Sequence, residues 1–218
     1  MMKETRIAVD AMGGDGGPKI IMPSVKEFLL ENRSVKIDVY GDEKILSKYL
    51  NIFDKNISKN LTIVHTDEKV LSEDSPSHAL RHKKNSSMSM AIKSVKDKNA
   101  QACVSAGNTG ALMAISRFIL GTLDGIDRPA IESMLPSLNG HTHVLDLGAN
   151  IDSKAEHLYQ FAVMGSALSS VLDEKENPTI GLLNVGEESI KGNTQVKDAH
   201  DLLLSSRLNY VGFVEGDD

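Results

Sequence analysis

Residues 6–22 read RIAVDAMGGDGGPKIIM. A short β-branched run ends in an aspartate, four glycines follow, and Pro18 opens a segment of helical period. Glycine permits positive φ and close backbone approach, and proline suits a first helical turn, where its missing N–H costs nothing. The stretch therefore reads as strand, ligand-sized loop, helix. It is not the dinucleotide fingerprint, because the G-x-G-x-x-G spacing fails after Gly14 and Gly16. It is not a phosphate loop of the Walker type, because no G-K-[ST] closes it. The bland alternative is a flexible connection that only turns the chain.

The same alternation recurs outward from this unit. Strands are predicted at 6–10, 35–40, 61–65, 102–105, 131–135, 142–147, 179–185 and 210–214. Helices are predicted at 19–31, 43–51, 76–81, 88–98, 109–120, 155–172 and 194–206. Strands alternating with helices imply an α/β fold around a mostly parallel sheet. In the helix from Ala155, Leu158, Phe161, Met164, Leu168 and Leu172 share a stripe, and Gly165 admits a close neighbour. The helix from Thr109 is apolar nearly all round and is expected to be central and buried. No linker or repeat divides the 218 residues, so one α/β domain is expected. The chain closes on a strand followed by Glu215-Gly-Asp-Asp218, where a parallel sheet would continue with a helix. It therefore reads as truncated at its C-terminal end.

Bulk composition narrows the function. The net charge of −6 and an aromatic content of 4% disfavour nucleic-acid binding by phosphate contact or base stacking. A lone Cys103 excludes an internal disulfide and fits a reducing compartment. The first residues lack the apolar core of a signal peptide, and the apolar run from Gly110 is too short to span a bilayer.

Ligands of open α/β sheets sit at the carboxyl ends of strands. After the first strand stand Asp10, Gly13, Gly14 and Asp15. After the fourth stand Ser105, Gly107, Asn108 and Thr109, where a helix N-terminus can hold an anion or can simply be capped by Asn108. Asp146 and Asn150 follow the sixth strand. After the seventh, Lys191 lies beside Asn193 and can bind phosphate or polarise a carbonyl. Arg81–Ser87 is a basic stretch holding Lys83 and Lys84. It reads as an acidic-partner contact or, more blandly, as a solvated run with Ser86 or Ser87 capping the next helix. His141 and His143 share a strand face, but no third ligand is evident, so no metal is expected. No Ser/His/Asp triad or G-x-S-x-G is present.

Taken together, VDAMGGD (9–15), DSPSHALRHKKNSSM (74–88), VSAGNTGALMAISRFILGTLDGIDRP (104–129), LPSLNG (135–140), VLDLGAN (144–150), FAVMGSA (161–167) and GLLNVGEESIKGN (181–193) resemble the phosphate acyltransferase family (acyl-ACP:phosphate acyltransferase, PlsX). The resemblance implies a Rossmann-like αβα sandwich, similar to phosphotransacetylase and isocitrate dehydrogenase-like folds. It implies a cytosolic homodimer that works at the inner face of the membrane. There it would make acyl-phosphate from inorganic phosphate and acyl carrier protein thioester, for a membrane glycerol-phosphate acyltransferase of phospholipid synthesis. The family chain continues beyond Asp218. No cofactor is implied. On this reading Lys191, Asn193 and Asn108 are catalytic. The N–H groups of Gly107–Thr109, with Ser105 and the loop of Asp10, Gly13, Gly14 and Asp15, hold phosphate. Lys83 and Lys84 meet the carrier protein or phosphate, and Asp146 and Asn150 orient. The rival readings are a short-chain phosphotransacylase using coenzyme A, a non-catalytic phosphate-binding module and, least favoured by the glycine spacing, a nicotinamide dehydrogenase.

Overall fold

A computed structural model describes residues 5–138, 140–148, 150, 152–185 and 193–216. The chain divides into two compact units, residues 1–121 and 122–218.

The first unit runs β1 (Arg6–Asp10), α1 (Pro18–Glu31), β2 (Lys36–Gly41), α2 (Glu43–Leu46), a 3-10 turn (Ser47–Ile52), α3 (Lys55–Ser58), β3 (Leu61–His65), α4 (Pro76–His82), α5 (Ser87–Lys96), β4 (Ala102–Ser105) and α6 (Thr109–Leu120). Its four strands form a parallel sheet in the order β3-β2-β1-β4. Period-2 alternation sends neighbouring residues to opposite faces. Val9, Ile37 and Val39 face a core completed by Met22, Val25 and Leu29 of α1, Leu46 and Ile57. Ala8 and Tyr40 face the other side, against Ala91 of α5. Helices thus cover both faces, as a parallel sheet requires.

The strand termini of β1, β3 and β4 coincide with the predicted ones. The helix expected over 43–51 is instead one α turn passing into a 3-10 turn. Asp42 caps α2, its side chain accepting from Lys44 N–H at 2.8 Å. Asp54 caps the unpredicted α3 in the same way, through Asn56 and Ile57. Such caps let very short helices start without an apolar stripe long enough to signal them. The helix expected to be buried all round, α6, buries Ala111 and Ile115 but leaves Phe118 74% exposed.

The second unit holds β5 (Glu132–Ser137), β6 (Gly140–Leu145), α7 (Ala155–Leu172), β7 (Ile180–Leu183), α8 (Thr194–Leu204) and β8 (Tyr210–Val214). β5 and β6 form an antiparallel hairpin, and β7 and β8 a parallel pair. The expected strand over 142–147 therefore starts and stops two residues early. It ends before Asp146, whose φ of 68° breaks the extended backbone. Gly165 of α7 does lie against a close neighbour: a Cβ there would come 3.1 Å from Leu145 Cδ1 of β6. No helix among the described residues is long and apolar enough to cross a membrane.

Candidate phosphate site at the ends of β1 and β4

The register aligns Asp10 of β1 with Ser105 of β4, so both strands deliver their last polar residue to one place. Asp10 is 1% exposed. A buried carboxylate must be satisfied, and here three hydrogen bonds link its surroundings. The Ser105 hydroxyl donates to Asp10 Oδ2 at 2.7 Å, and Met12 N–H donates to Oδ1 at 3.2 Å. Gly107 N–H donates to Ser105 Oγ at 3.1 Å. The chain Met12–Asp10–Ser105–Gly107 ties the two post-strand loops together.

The loops touch backbone to backbone. A Cβ on Gly13 would stand 2.6 Å from Asp10 Oδ2, 2.9 Å from Gly107 N and 3.0 Å from Gly107 Cα. A Cβ on Gly14, already at φ 78°, would stand 2.8 Å from the Ala106 carbonyl oxygen. Side chains longer than hydrogen cannot occupy this contact, which is the physical use of those two glycines. Gly14 borders a cleft of about 440 Å³ that is also lined by Asp15, Ser72 and the run Ala106–Gly110. Asp15 and Asn108, far apart in sequence, therefore share one cavity wall.

Asn108 organises the cleft. Its Oδ1 accepts from Ala111 N–H at 3.0 Å, capping α6. Its Nδ2 donates to the carbonyls of Leu71 (3.2 Å), Ser72 (3.0 Å) and Asp74 (2.8 Å), pinning the 71–74 loop over the helix head. Both ends of the amide are thus occupied by the chain itself. Gly107 N–H is likewise engaged. Among the described residues, no partner takes the N–H groups of Asn108, Thr109 and Gly110, and these remain for an anion at the positive end of the 12-residue helix. The 71–74 loop was missed from sequence. Its part is played by backbone carbonyls, which carry no side-chain signal.

Other expected residues lie elsewhere in their own units. Lys83 is the half-buried C-cap of α4, and Lys84 is exposed beside it. The Lys83 carbonyl accepts from the hydroxyls of Ser86 and Ser89, both at 2.7 Å, while Ser86 caps α5. The bland expectation for this stretch, a helix cap by Ser86, is met. In the second unit Asp146 accepts from Asn150 Nδ2 at 2.8 Å and from the Ser153 hydroxyl at 2.6 Å, so Asp146 and Asn150 brace one turn. Asn193 caps α8, accepting from Val196 N–H at 2.9 Å. Beside it lies a cleft of about 710 Å³ also lined by Leu183, Asn184, Val185, Val196 and Gly216. Lys191 lies outside the described residues. Cys103, one strand position before Val104, packs in the core. Burial, with the Asp10 charge adding to it, pushes its thiol up to about 12.

The sequence model of the family described as "Fatty acid synthesis protein" matches residues 5–218. Curated relatives named "Phosphate acyltransferase" are 58% identical over 98% of the chain in Methylococcus capsulatus, 55% over 97% in Nitrosococcus oceani and 55% over 99% in Legionella pneumophila. The chain spans 62–64% of the length of these relatives. Among solved structures, EutD phosphotransacetylase from Staphylococcus aureus is similar at a TM-score of 0.64, with 18% identity over 97% of this chain and 69% of that one. A 4-hydroxythreonine-4-phosphate dehydrogenase from Burkholderia phymatum is similar at 0.52, with 16% identity over 95% and 72%. At those identities the likeness concerns the fold alone, and it agrees with the expected α/β architecture.

Proposed function

The chain belongs to the fatty acid synthesis protein family, and from that premise we propose that it is the larger part of a phosphate acyltransferase whose inorganic phosphate sits in the cleft of the first unit. The observation that carries this reading is the backbone cradle. Gly13 and Gly14 are pressed against Ala106 and Gly107, and Asn108, Thr109 and Gly110, whose N–H groups have no partner among the described residues, line the adjoining cleft. The names of the relatives supply the acyl half of the reaction.

The acyl donor in this reading is a long-chain acyl thioester of acyl carrier protein. A thioester needs no further activation: its leaving thiol has an ordinary pKa of about 8.5, so it departs readily. An oxygen of hydrogen phosphate forms a bond to the carbonyl carbon, the C–S bond breaks, and the phosphate proton ends on the departing sulfur. No enzyme nucleophile is needed. The chain's task is to hold the phosphate, offset its charge and accept the developing oxyanion. Helix-head N–H groups suit the first two. Lys191, beside the α8 cap Asn193, is assigned to phosphate or oxyanion. Asn108 acts by shaping the helix head, since both ends of its amide are engaged. Lys83 and Lys84 are assigned to the acidic carrier protein, and Asp146 with Asn150 to orientation. The working enzyme in this reading is a cytoplasmic homodimer, peripheral to the membrane, that hands acyl-phosphate to a membrane glycerol-phosphate acyltransferase.

The test is phosphate-dependent thiol release from palmitoyl acyl carrier protein by a full-length protein carrying this sequence. Release that requires phosphate, and fails with acetyl-coenzyme A, supports the reading. Turnover of acetyl-coenzyme A instead makes it a short-chain phosphotransacylase. Phosphate binding with both thioesters left intact makes it a binding module.

A further inference from the structure

The hairpin of the second unit carries a cluster that the acyl-transfer reading does not use. His141 and His143 project from one face of β6, their ring centroids 5.2 Å apart and their planes nearly perpendicular. Asp173, which follows α7, reaches both. Its Oδ1 is 2.9 Å from His141 Nε2, and its Oδ2 is 3.3 Å from His143 Nε2. One donor atom from each of the three residues lies within 4.8 Å of the others. On β5, Glu132 Oε1 is 2.7 Å from His143 Nδ1.

The tautomer follows from these contacts. A carboxylate can only accept, so His143 Nδ1 carries a proton, and in the neutral ring Nε2 is a lone pair. That atom is buried, in a side chain only 7% exposed, and has no hydrogen-bond partner. It points at Asp173, whose oxygens are also lone-pair donors. The Ser169 hydroxyl donates to Asp173 Oδ2 at 2.7 Å and fixes that carboxylate beside the two rings. Two electron-pair donors facing each other need a proton or a metal cation between them, and a metal would displace the proton by which His141 Nε2 meets Asp173 Oδ1 at 2.9 Å.

We propose that His141, His143 and Asp173 bind one divalent metal ion of the zinc class, with Glu132 orienting His143 from outside the ligand set. Two imidazoles and one carboxylate are a usual zinc donor set, leaving a fourth position for water. Ligand atoms around a tetrahedral zinc stand ~3.3 Å apart; here each imidazole meets a different Asp173 oxygen, at 2.9 and 3.3 Å, and one donor atom from each residue lies within 4.8 Å of the others, so the set must close in on binding. Carboxylate–histidine–metal is the arrangement by which an outer carboxylate fixes a ligand's tautomer. The charges also balance, since Asp173 and Glu132 offset a divalent ion. Lys175 Nζ lies 3.7 Å from Asp173 Oδ2, but its side chain is 56% exposed and can swing into water. The ion would tie the β5–β6 hairpin to the end of α7, a brace within the second unit rather than a catalytic centre.

The full chain, stripped with a chelator, is titrated with Zn²⁺ by calorimetry and with Co²⁺ by visible absorption. The expected result is one ion per chain, the intense bands of four-coordinate Co²⁺, and a melting temperature raised by Zn²⁺ but not by Mg²⁺. His143→Gln and His141→Gln should each weaken Zn²⁺ binding more than ~100-fold. Glu132→Gln should weaken it ~10–100-fold, as for an outer-shell carboxylate. His78→Gln, in the first unit, should change nothing. His141 is 39% exposed, so its variant reads out even if His143→Gln fails to fold. No stoichiometric Zn²⁺ binding by the unaltered chain overturns the proposal, as does binding that survives His141→Gln. The cluster is then a protonated His143 paired with Asp173.

Discussion

Gly13→Ala tests the cleft most directly. The new methyl would sit 2.6 Å from Asp10 Oδ2 and 2.9–3.0 Å from the Gly107 backbone. The carboxylate cannot retreat without losing the Ser105 hydroxyl at 2.7 Å, and Gly107 N–H is itself bound to Ser105 Oγ. The loops must therefore part by several tenths of an ångström or more. Overpacking of this kind costs about 1–3 kcal/mol. At roughly 2–4 °C per kcal/mol for a chain of this size, the melting temperature should fall by ~2–12 °C. Activity should suffer more than stability, because a misplacement near 1 Å at a positioning site costs about 100-fold in rate. The assay is phosphate-dependent thiol release beside a thermal melt on the same preparation. Gly216→Ala is the control for the melt alone, since a Cβ there meets nothing within 4 Å but the residue lines the cleft beside Asn193. A Gly13→Ala protein with unaltered melting and unaltered turnover would refute the claim that close loop contact builds the site.

Ser105→Ala removes the hydroxyl between Asp10 and Gly107 and leaves a buried carboxylate short of a donor; a loss of about 1–3 kcal/mol by chemical denaturation is expected. Inorganic phosphate should raise the melting temperature of the unaltered chain and do so less for Ser105→Ala, read by a thermal melt over a phosphate series. Cys103 should resist thiol reagents at pH 8, because its thiol titrates near 12 rather than the unburied 9.0. The same shift makes Cys103 favour the folded state fully below pH 9, with that contribution lost as pH rises from 9 toward 12, which an alkaline denaturation series on Cys103→Ala would show as a gentler decline. Arg6→Ala breaks a 2.6 Å ion pair with Asp38, which is only 11% exposed, and should cost about 1.5–3 kcal/mol in a urea melt.

The alternating pattern and the punctuation around it made most of the fold legible. β1, β3, β4, α6 and α7 stand where periodicity and caps put them, because a period of 2 or 3.6 and a helix cap are local properties of the chain. The glycines after β1 and the Ser105–Thr109 run were legible as ligand loops for the same reason. Tertiary structure alone showed that they meet. Gly13 and Gly107 are separated by 94 residues and touch only because the sheet order β2-β1-β4 places β1 and β4 side by side. The capture of Leu71, Ser72 and Asp74 carbonyls by Asn108, and the arrival of Asp173 between His141 and His143, have the same origin. A backbone oxygen has no letter in a sequence, and a long-range partner has no fixed spacing, so neither can be read before the chain is folded.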